Sequence, residues 1–137
     1  MLRKDGKIEL LKRVPLFSHC SKKQLAEIAS ITTLIDVPAG TVLIREGAVG
    51  REFMVVVEGT AEVRRKGRKI NQLGAGDFAG EMALISGAPR NATVTTSVDS
   101  SLLVVTDRQF WELLERAPDM QTSIIKAMGE RLHSLDV

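Results

Sequence analysis

Residues 80–94 read GEMALISGAPRNATV, and this stretch combines three features that suit a small anionic sugar phosphate. Gly80 opens a short helical turn, whose first N–H groups have no partner inside the helix and can point at an anionic oxygen. Arg90 follows on a loop bent by a glycine and a proline, which brings its planar guanidinium within reach of the same anion. Glu81 is repelled by phosphate but accepts hydrogen bonds from a sugar hydroxyl. The stretch therefore predicts a site for a ligand that is both anionic and hydroxylated.

Each of these residues also has a simpler interpretation. A glutamate at a helix start, such as Glu81, commonly interacts with the helix dipole or caps the first turn. An arginine after a proline, such as Arg90, is commonly a solvated surface side chain. The two could also pair in a surface salt bridge, which contributes little to stability. The full string favours the binding interpretation, because a structural turn does not need so many fixed residue types at once.

The segment from Phe78 to Val94 resembles the phosphate-binding cassette of the cyclic nucleotide-binding domain family. That cassette runs Gly-Glu-aliphatic-Ala-Leu, a short loop, then Pro-Arg, a small residue, Ala, and Thr or Ser. The matching residues, with the family spacing, are Gly80, Glu81, Met82, Ala83, Leu84, Pro89, Arg90, Asn91, Ala92 and Thr93. Further motifs with similar family positions are Val14-Pro15-Leu16-Phe17, Pro38-Ala39-Gly40, Arg45-Glu46-Gly47 and Val57-Glu58-Gly59. The resemblance thus extends over nearly the whole chain.

The resemblance implies a role for each matched residue. Arg90 is expected to bind the exocyclic oxygens of a 3′,5′-cyclic phosphate, and Glu81 is expected to bind the ribose 2′-hydroxyl. Gly80 and Asn91 belong to the same set of ligand-binding residues. Arg131, near the C-terminus, is a candidate for contact with the base, although a solvated helix position is the simpler interpretation. The phosphate cradle would be completed by backbone N–H groups of Met82, Ala83 and Ala92.

Two positions depart from the family pattern. Ala79 stands where relatives often have an aromatic residue, and Asn91 stands where they usually have Ala, Ser or Thr. In the family, Thr at the second position tends to accompany cGMP and Ala tends to accompany cAMP. An asparagine is able to donate a hydrogen bond to a guanine or to the phosphate. The resemblance favours cAMP as the ligand, with cGMP as the alternative.

The implied function is that of a small stand-alone sensor or regulatory module that signals by repositioning its C-terminal helix. The alternative is a degenerate module that has lost its ligand and serves in protein interaction or dimerisation. The presence of both Glu81 and Arg90 favours the sensor, because a module without ligand needs neither. Ala79 and Asn91 keep the alternative open. A third interpretation is a fragment of a longer protein, such as a channel or an acyltransferase with a regulatory domain.

Glycine turns indicate the fold. Nine of the eleven glycines lie between Gly40 and Gly87, separated by short apolar runs, which is typical of a compact all-β roll or barrel. Together with the resemblance, this predicts a mainly β fold with flanking helices (α+β). The expected architecture is a cyclic nucleotide-binding β-roll of the double-stranded β-helix or jelly-roll type. Strands are predicted at Thr33–Val37, Val42–Ile44, Glu52–Val57, Thr60–Arg65, Arg68–Leu73, Asn91–Ser97 and Ser101–Thr106.

Helical patterns flank the predicted roll. Ser21 and Gln24 form a capping box, and Asp107 can cap a helix after the last strand. After Pro118 a second stretch carries one apolar stripe, which either joins the core or meets a partner. A chain of 137 residues is expected to be one domain. The predicted parts are N-terminal helices over 1–32, the roll over 33–106 with its cassette at 78–94, and C-terminal helices over 107–137. The residues of the stripe are Met120, Ile124, Met128, Leu132 and Leu135.

Composition argues against nucleic-acid or membrane partners. The net charge is +2 and aromatic residues make up 4% of the chain, so neither a basic footprint nor a base-stacking surface is indicated. The basic run over 64–69 straddles a predicted hairpin tip, which favours a solvated turn. The longest apolar runs are of strand length and cannot cross a bilayer.

Because the chain stops at Val137, where relatives that bind DNA continue into a helix-turn-helix, we expect no DNA or RNA binding by this chain alone. A homodimer or a protein partner through the C-terminal helix stays open.

The reactive side chains are too few for a catalytic centre. The histidines are His19 and His133, and the single cysteine is Cys20, so no metal-ligand cluster and no oriented nucleophile pair is indicated. We therefore expect no enzyme activity, no metal and no cofactor apart from the nucleotide ligand. The N-terminus lacks the apolar segment of a signal peptide, and one cysteine forms no internal disulfide. These features predict a cytoplasmic protein without a membrane span and, if the chain is complete, neither a channel nor a membrane receptor.

Overall fold

The computed structural model describes residues 2–81 and 83–135, with side chains through Glu130. The chain divides into two compact units. Thr32–Arg108 form a β unit, and Met1–Ile31 together with Gln109–Val137 form a helical unit. The predicted division, with the roll over 33–106 between flanking helices, stays a prediction.

The β unit contains two four-stranded sheets. The first has the order β1-β8-β3-β6 and the second the order β2-β7-β4-β5, and neighbouring strands are antiparallel. A short helix, α3, precedes β7. The prediction of a mainly β roll with flanking helices is confirmed. The elements are β1 Thr33–Val37, β2 Val42–Ile44, β3 Glu52–Glu58, β4 Ala61–Arg65, β5 Arg68–Leu73, β6 Phe78–Ala79, α3 Ala83–Ser86, β7 Thr93–Thr96 and β8 Ser100–Thr106.

Apolar residues from both sheets form the core of this unit. The alternation along β7 buries Val94 and Thr96, as expected for a half-buried strand. β5 lies at a sheet edge and exposes every residue except Leu73, which explains its charged and polar sequence. The buried core residues are Ile44, Met54, Val56, Ala61, Leu73, Val94 and Leu102.

The basic run forms the tip of the β4–β5 hairpin, as predicted. Lys66 and Gly67 occupy the two central turn positions with φ angles of 52° and 78°. Positive φ at both positions is the geometry of the tight hairpin turn that matches strand twist. The run is therefore a connection between two paired strands.

In the part of the helical unit that the structure describes, there are four α-helices and a 3-10 turn. The ring centroids of Phe17 and Phe110 are 5.9 Å apart, and both side chains are buried. The predicted capping box of α2 is present, because Ser21 Oγ accepts from Gln24 N–H and Gln24 Oε1 accepts from Ser21 N–H. The elements are α1 Lys4–Lys12, the 3-10 turn Pro15–Phe17, α2 Lys22–Ser30, α4 Asp107–Arg116, of which residues from Gln109 belong to this unit, and α5 Pro118–Leu135.

The predicted apolar stripe of α5 is largely a core face. Met120 and Ile124 are buried, and Met128 is half-buried. Leu132 and Leu135 lie on the same helix, and their side chains are outside the described residues. Within the described part of the chain, no helix has the length and apolarity needed to cross a bilayer.

Candidate functional site

The main chain of Arg90 is fixed to the segment that precedes β3. Arg90 N–H donates to the carbonyl of Ala48 at 2.7 Å, and the Arg90 carbonyl accepts from Gly47 N–H at 2.8 Å. Val49 and Pro89 form an antiparallel bridge between the same two segments. These contacts hold the backbone that carries the guanidinium, so its side chain starts from a defined point.

The side chain of Arg90 lies half-buried against the start of β3. Its Nη2 donates to the backbone carbonyl of Glu52 at 2.6 Å. Burial lowers the pKa of the Arg90 guanidinium below its ordinary value, and the negative charge of Glu52 opposes this shift. An arginine stays charged in proteins, so the site presents a positioned and partly desolvated cation. Such a cation interacts more strongly with an anion than a fully solvated one does.

Two glycines make room for this arginine. A Cβ added to Gly50 would lie 2.6 Å from Arg90 Nε, and a Cβ added to Gly80 would lie 2.8 Å from the Glu52 carbonyl and overlap Arg90 Nη1. Gly80 also has a φ of 82°, which L side chains rarely adopt. Gly80 was predicted from the cassette, and the structure brings it against Arg90. Gly50 was missed, because in the sequence it has only the signal of a turn glycine.

The first turn of the cassette opens at Gly80. Ala83 N–H donates to the Gly80 carbonyl at 3.0 Å, and Leu84 N–H donates to the Glu81 carbonyl at 3.2 Å. Gly80 thus lies in the turn that leads into α3, whose first residue is Ala83. Glu81 is buried, with 5% of its surface exposed. Met82 lies outside the described residues.

The residues after Arg90 differ in exposure. Asn91 is exposed, and its carbonyl accepts a hydrogen bond from Arg65 Nε at 2.9 Å. Ala92 is buried, and β7 begins at Thr93. The structure therefore gathers Gly80, Arg90 and the Asn91–Ala92 peptide in one unit. The ligand contacts expected for Asn91, for Glu81 and for the N–H groups of Ala83 and Ala92 stay predictions.

Ala79, the first departure from the family pattern, lies in a regular sheet position. It pairs with Met54 of β3 and packs against the core of the β unit. The neighbouring Phe78 supplies the aromatic ring of this segment, with its centroid 6.2 Å from that of Phe53. The small side chain at 79 is thus accommodated by sheet pairing.

The candidate base contact, Arg131, and the reactive side chains His19 and Cys20 lie in the helical unit. Arg131 belongs to α5, and its side chain is outside the described residues. Burial raises the pKa of the Cys20 thiol to about 11, so the thiolate is a minor species at neutral pH. His19 lies 2.6 Å from the Glu130 carboxylate, measured from Nε2 to Oε1. Among the residues that the structure describes, no group of three His, Cys, Asp or Glu side chains is arranged to hold a metal ion.

Most of the chain, including the cassette, matches a known protein family. The family model of the cyclic nucleotide-binding domain matches residues 34–117. A cyclic nucleotide-gated potassium channel from Rhizobium etli is 40% identical over 123 residues, which is 90% of this chain and 34% of the channel. A cAMP-dependent protein kinase regulatory subunit from Mycosarcoma maydis is 38% identical over 115 residues, covering 77% of this chain and 22% of that protein. The chain therefore spans about a third or less of these relatives.

A solved structure shares the fold over almost the whole chain. It is the N-terminal domain of a transcriptional regulator from Streptomyces coelicolor, with a TM-score of 0.84 and 28% identity. The alignment covers 92% of this chain and 94% of that domain. The match extends beyond the cassette to the flanking helices.

Proposed function

The chain belongs to the cyclic nucleotide-binding domain family, and on that premise we propose that it binds a 3′,5′-cyclic nucleotide, preferably cAMP, as a sensor or regulatory module. Arg90 binds the phosphate, and Glu81 binds the ribose 2′-hydroxyl. Gly80, Asn91 and the backbone N–H groups of the cassette, including that of Met82, complete the site. The proposal includes no catalysis, in keeping with a family of regulatory domains.

The surroundings of Arg90, formed by Gly47–Gly50, Glu52 and Gly80 and called here the Arg90 niche, support this proposal most. The main chain of Arg90 is fixed at both the N–H and the carbonyl, its guanidinium bonds a backbone oxygen, and two glycines leave room for it. A solvated surface arginine needs none of these arrangements. A singly charged cyclic phosphate matches a fixed guanidinium together with backbone donors.

The relatives favour cAMP over cGMP. The kinase regulatory subunit from Mycosarcoma maydis is named for its dependence on cAMP, and another from Schizosaccharomyces pombe is 36% identical over 112 residues. Asn91 is exposed, so its amide is free to meet either a phosphate oxygen or a substituent of the base. We retain cGMP as the second ligand to test.

The proposed signal is a change in the position of the C-terminal helix α5 on ligand binding. A ligand shifts such an equilibrium only if it binds one arrangement more tightly than the other. Hydrogen exchange of the α5 amides with and without cAMP measures this directly.

We place the protein in the cytoplasm, where a lone free thiol such as that of Cys20 stays reduced.

Exposed apolar side chains support a second function, that of a protein-interaction or dimerisation module. Trp111 on α4 is 47% exposed, and Ile125 on α5 is 66% exposed. A contact through these helices is compatible with ligand binding, and it is the whole function if the nucleotide site is inactive. The two functions differ in their response to nucleotide.

Thermal melting with added nucleotide tests the proposal. At about one hundred times its dissociation constant, a ligand raises the free energy of unfolding by roughly 2.7 kcal/mol. We expect cAMP to raise the melting temperature, cGMP to raise it less, and linear 5′-AMP to leave it unchanged. If millimolar cAMP and cGMP both leave the melting temperature unchanged, the sensor function is wrong and the interaction module stands.

A further inference from the structure

The β4–β5 hairpin contacts the loop that carries Arg90. Backbone pairing between β4 and β7 ends at Arg64 and Thr93. Beyond that point the side chain of Arg65 continues the contact, because its Nε donates to the Asn91 carbonyl at 2.9 Å. A charged donor therefore bonds the Asn91–Ala92 peptide, one residue beyond the proposed phosphate-binding arginine.

Two further hydrogen bonds connect the segment at Glu46 both to β7 and to the hairpin tip. Glu46 N–H donates to Thr93 Oγ1 at 3.0 Å, on the opposite flank of β7. The Glu46 carboxylate accepts from Lys66 N–H at 3.0 Å, which ties it to the hairpin tip. Arg65 is thus the last residue of β4, directly before a turn that is itself bonded to the loop before β3. The Asn91 carbonyl meets a donor whose own position is constrained.

The charged side chains of Arg64 and Lys69, close to Arg65 in the hairpin, make their contacts within the hairpin itself. Arg64 bonds the Gly67 carbonyl at 2.9 Å and pairs with Glu62, and Lys69 Nζ donates to Gln72 Oε1 at 3.0 Å. These contacts lie inside β4, β5 and their turn. Arg65 differs from Arg64 and Lys69 because its bond leaves the hairpin.

Peptide geometry gives the Arg65 bond a consequence for the ligand site. The Asn91 carbonyl and the Ala92 N–H belong to one peptide plane, and in a trans peptide they point in opposite directions. The described peptide bonds are all trans. Fixing the carbonyl therefore fixes the direction of the Ala92 N–H. A cationic donor on the carbonyl also polarises the peptide, which strengthens that N–H as a donor.

We propose that Arg65 is a positioning residue for the cyclic-phosphate site, acting through the Asn91–Ala92 peptide. This inference rests on the proposed function, because it concerns the affinity for the nucleotide phosphate. Arg65 itself touches the Asn91 carbonyl and needs no contact with the ligand.

Arg64 supplies a matched control for Arg65. Arg65→Gln and Arg64→Gln each remove one positive charge from adjacent positions of the same strand. A purely long-range attraction for phosphate would fall equally in both variants and would vanish at high salt. A loss that is confined to Arg65→Gln and persists in 0.5 M salt reports the peptide contact. At that ionic strength the Debye length is only about 4 Å, so attraction between distant charges is screened.

The experiment measures cAMP affinity by calorimetry and the Ala92 amide by ¹⁵N NMR, in full-length variants whose folding is checked by melting. We expect Arg65→Gln to weaken cAMP binding about tenfold, because the Ala92 N–H is then no longer held toward the phosphate and about one hydrogen bond to a charged group is lost on binding. Arg64→Gln should change the affinity less than about twofold. The Ala92 amide should shift in the Arg65→Gln protein before ligand is added. Arg65→Lys should recover part of the affinity, because lysine also donates to a carbonyl.

Two results would overturn the proposal in distinguishable ways. If wild-type protein binds cAMP and both glutamine variants bind it equally well, Arg65 has no positioning role while the proposed function stands. If the wild-type protein binds neither cAMP nor cGMP, the proposed function fails and this inference fails with it.

Discussion

At the residue scale, Gly50 offers the cleanest probe of the Arg90 niche. A Cβ at this position would lie within 3 Å of Nε, Cζ and Cδ of Arg90, and Gly50 has no positive φ that would add backbone strain. Gly50→Ala should therefore displace the guanidinium and weaken cAMP binding by about tenfold or more, the loss expected for a charged hydrogen bond. Calorimetric titration of the variant measures the change.

Gly74→Ala is the control for this substitution. A Cβ at Gly74 would meet no atom within 4 Å, and its φ is also outside the positive range. Both variants thus add one methyl group to a glycine in the β unit, and only one places it against Arg90. Equal cAMP affinity of the two proteins would show that the position of Arg90 does not matter for binding.

Sequence reasoning could propose only the part of the candidate site that is local in the chain. Gly80, Glu81 and Arg90 belong to one continuous motif, and their residue types suffice to indicate an anion site. Gly50, in the segment before β3, and Arg65, at the end of β4, approach the motif from distant parts of the sequence. Nothing in their immediate sequence indicates which side chain or carbonyl they contact, so only the folded chain assigns them.

At the element scale, the junction of α2 and α5 predicts a pH dependence. Gln24 Nε2 donates to Asp119 Oδ2 at 3.0 Å, and this hydrogen bond is the main cause that lowers the pKa of the Asp119 carboxyl. A carboxyl with a lowered pKa stabilises the fold above its unfolded value of about 3.9, and the contribution is lost as the pH falls through the folded value. The junction should weaken in acid.

Melting curves across pH test this junction. We expect Asp119→Asn to lower the melting temperature at pH 7, and the difference from wild type to shrink as the pH falls below about 3.9. Glu9→Gln, which removes an exposed carboxylate from α1, is the control and should show a smaller difference. A constant difference between Asp119→Asn and wild type down to pH 2 would contradict the assignment to ionisation.

Strand prediction succeeded where turn residues closely follow the strand, as Pro38 follows β1 and Gly74 follows β5. The bounds of β1, β2 and β5 agree with the predicted ones, while the predicted strand over 91–97 shortens to Thr93–Thr96. Asn91 and Ala92 lie outside the ladder, and the Asn91 carbonyl accepts a hydrogen bond from the Arg65 side chain. β6 was missed, since two residues are too short to produce an alternation.

At the scale of the whole molecule, the order of motifs carried more information than any single motif. The cassette indicates an anion site by itself, and its place among the other motifs indicated the family that the comparisons then confirmed. The sequence could not specify how the cassette backbone is fixed. That depends on contacts between Gly47–Gly50, the β4–β5 hairpin and the loop at Arg90, which are distant in sequence.

The most direct test of the central claim is a calorimetric titration of wild-type protein and Arg90→Lys with cAMP. Lysine keeps the positive charge but loses the planar fork, so the account predicts measurable binding by wild type and at least about tenfold weaker binding by the variant. Arg68→Lys, on the exposed edge strand, should bind as wild type does. Equal affinity of Arg90→Lys and wild type, or no binding by wild type, would contradict the claim that Arg90 holds the phosphate of a cyclic nucleotide.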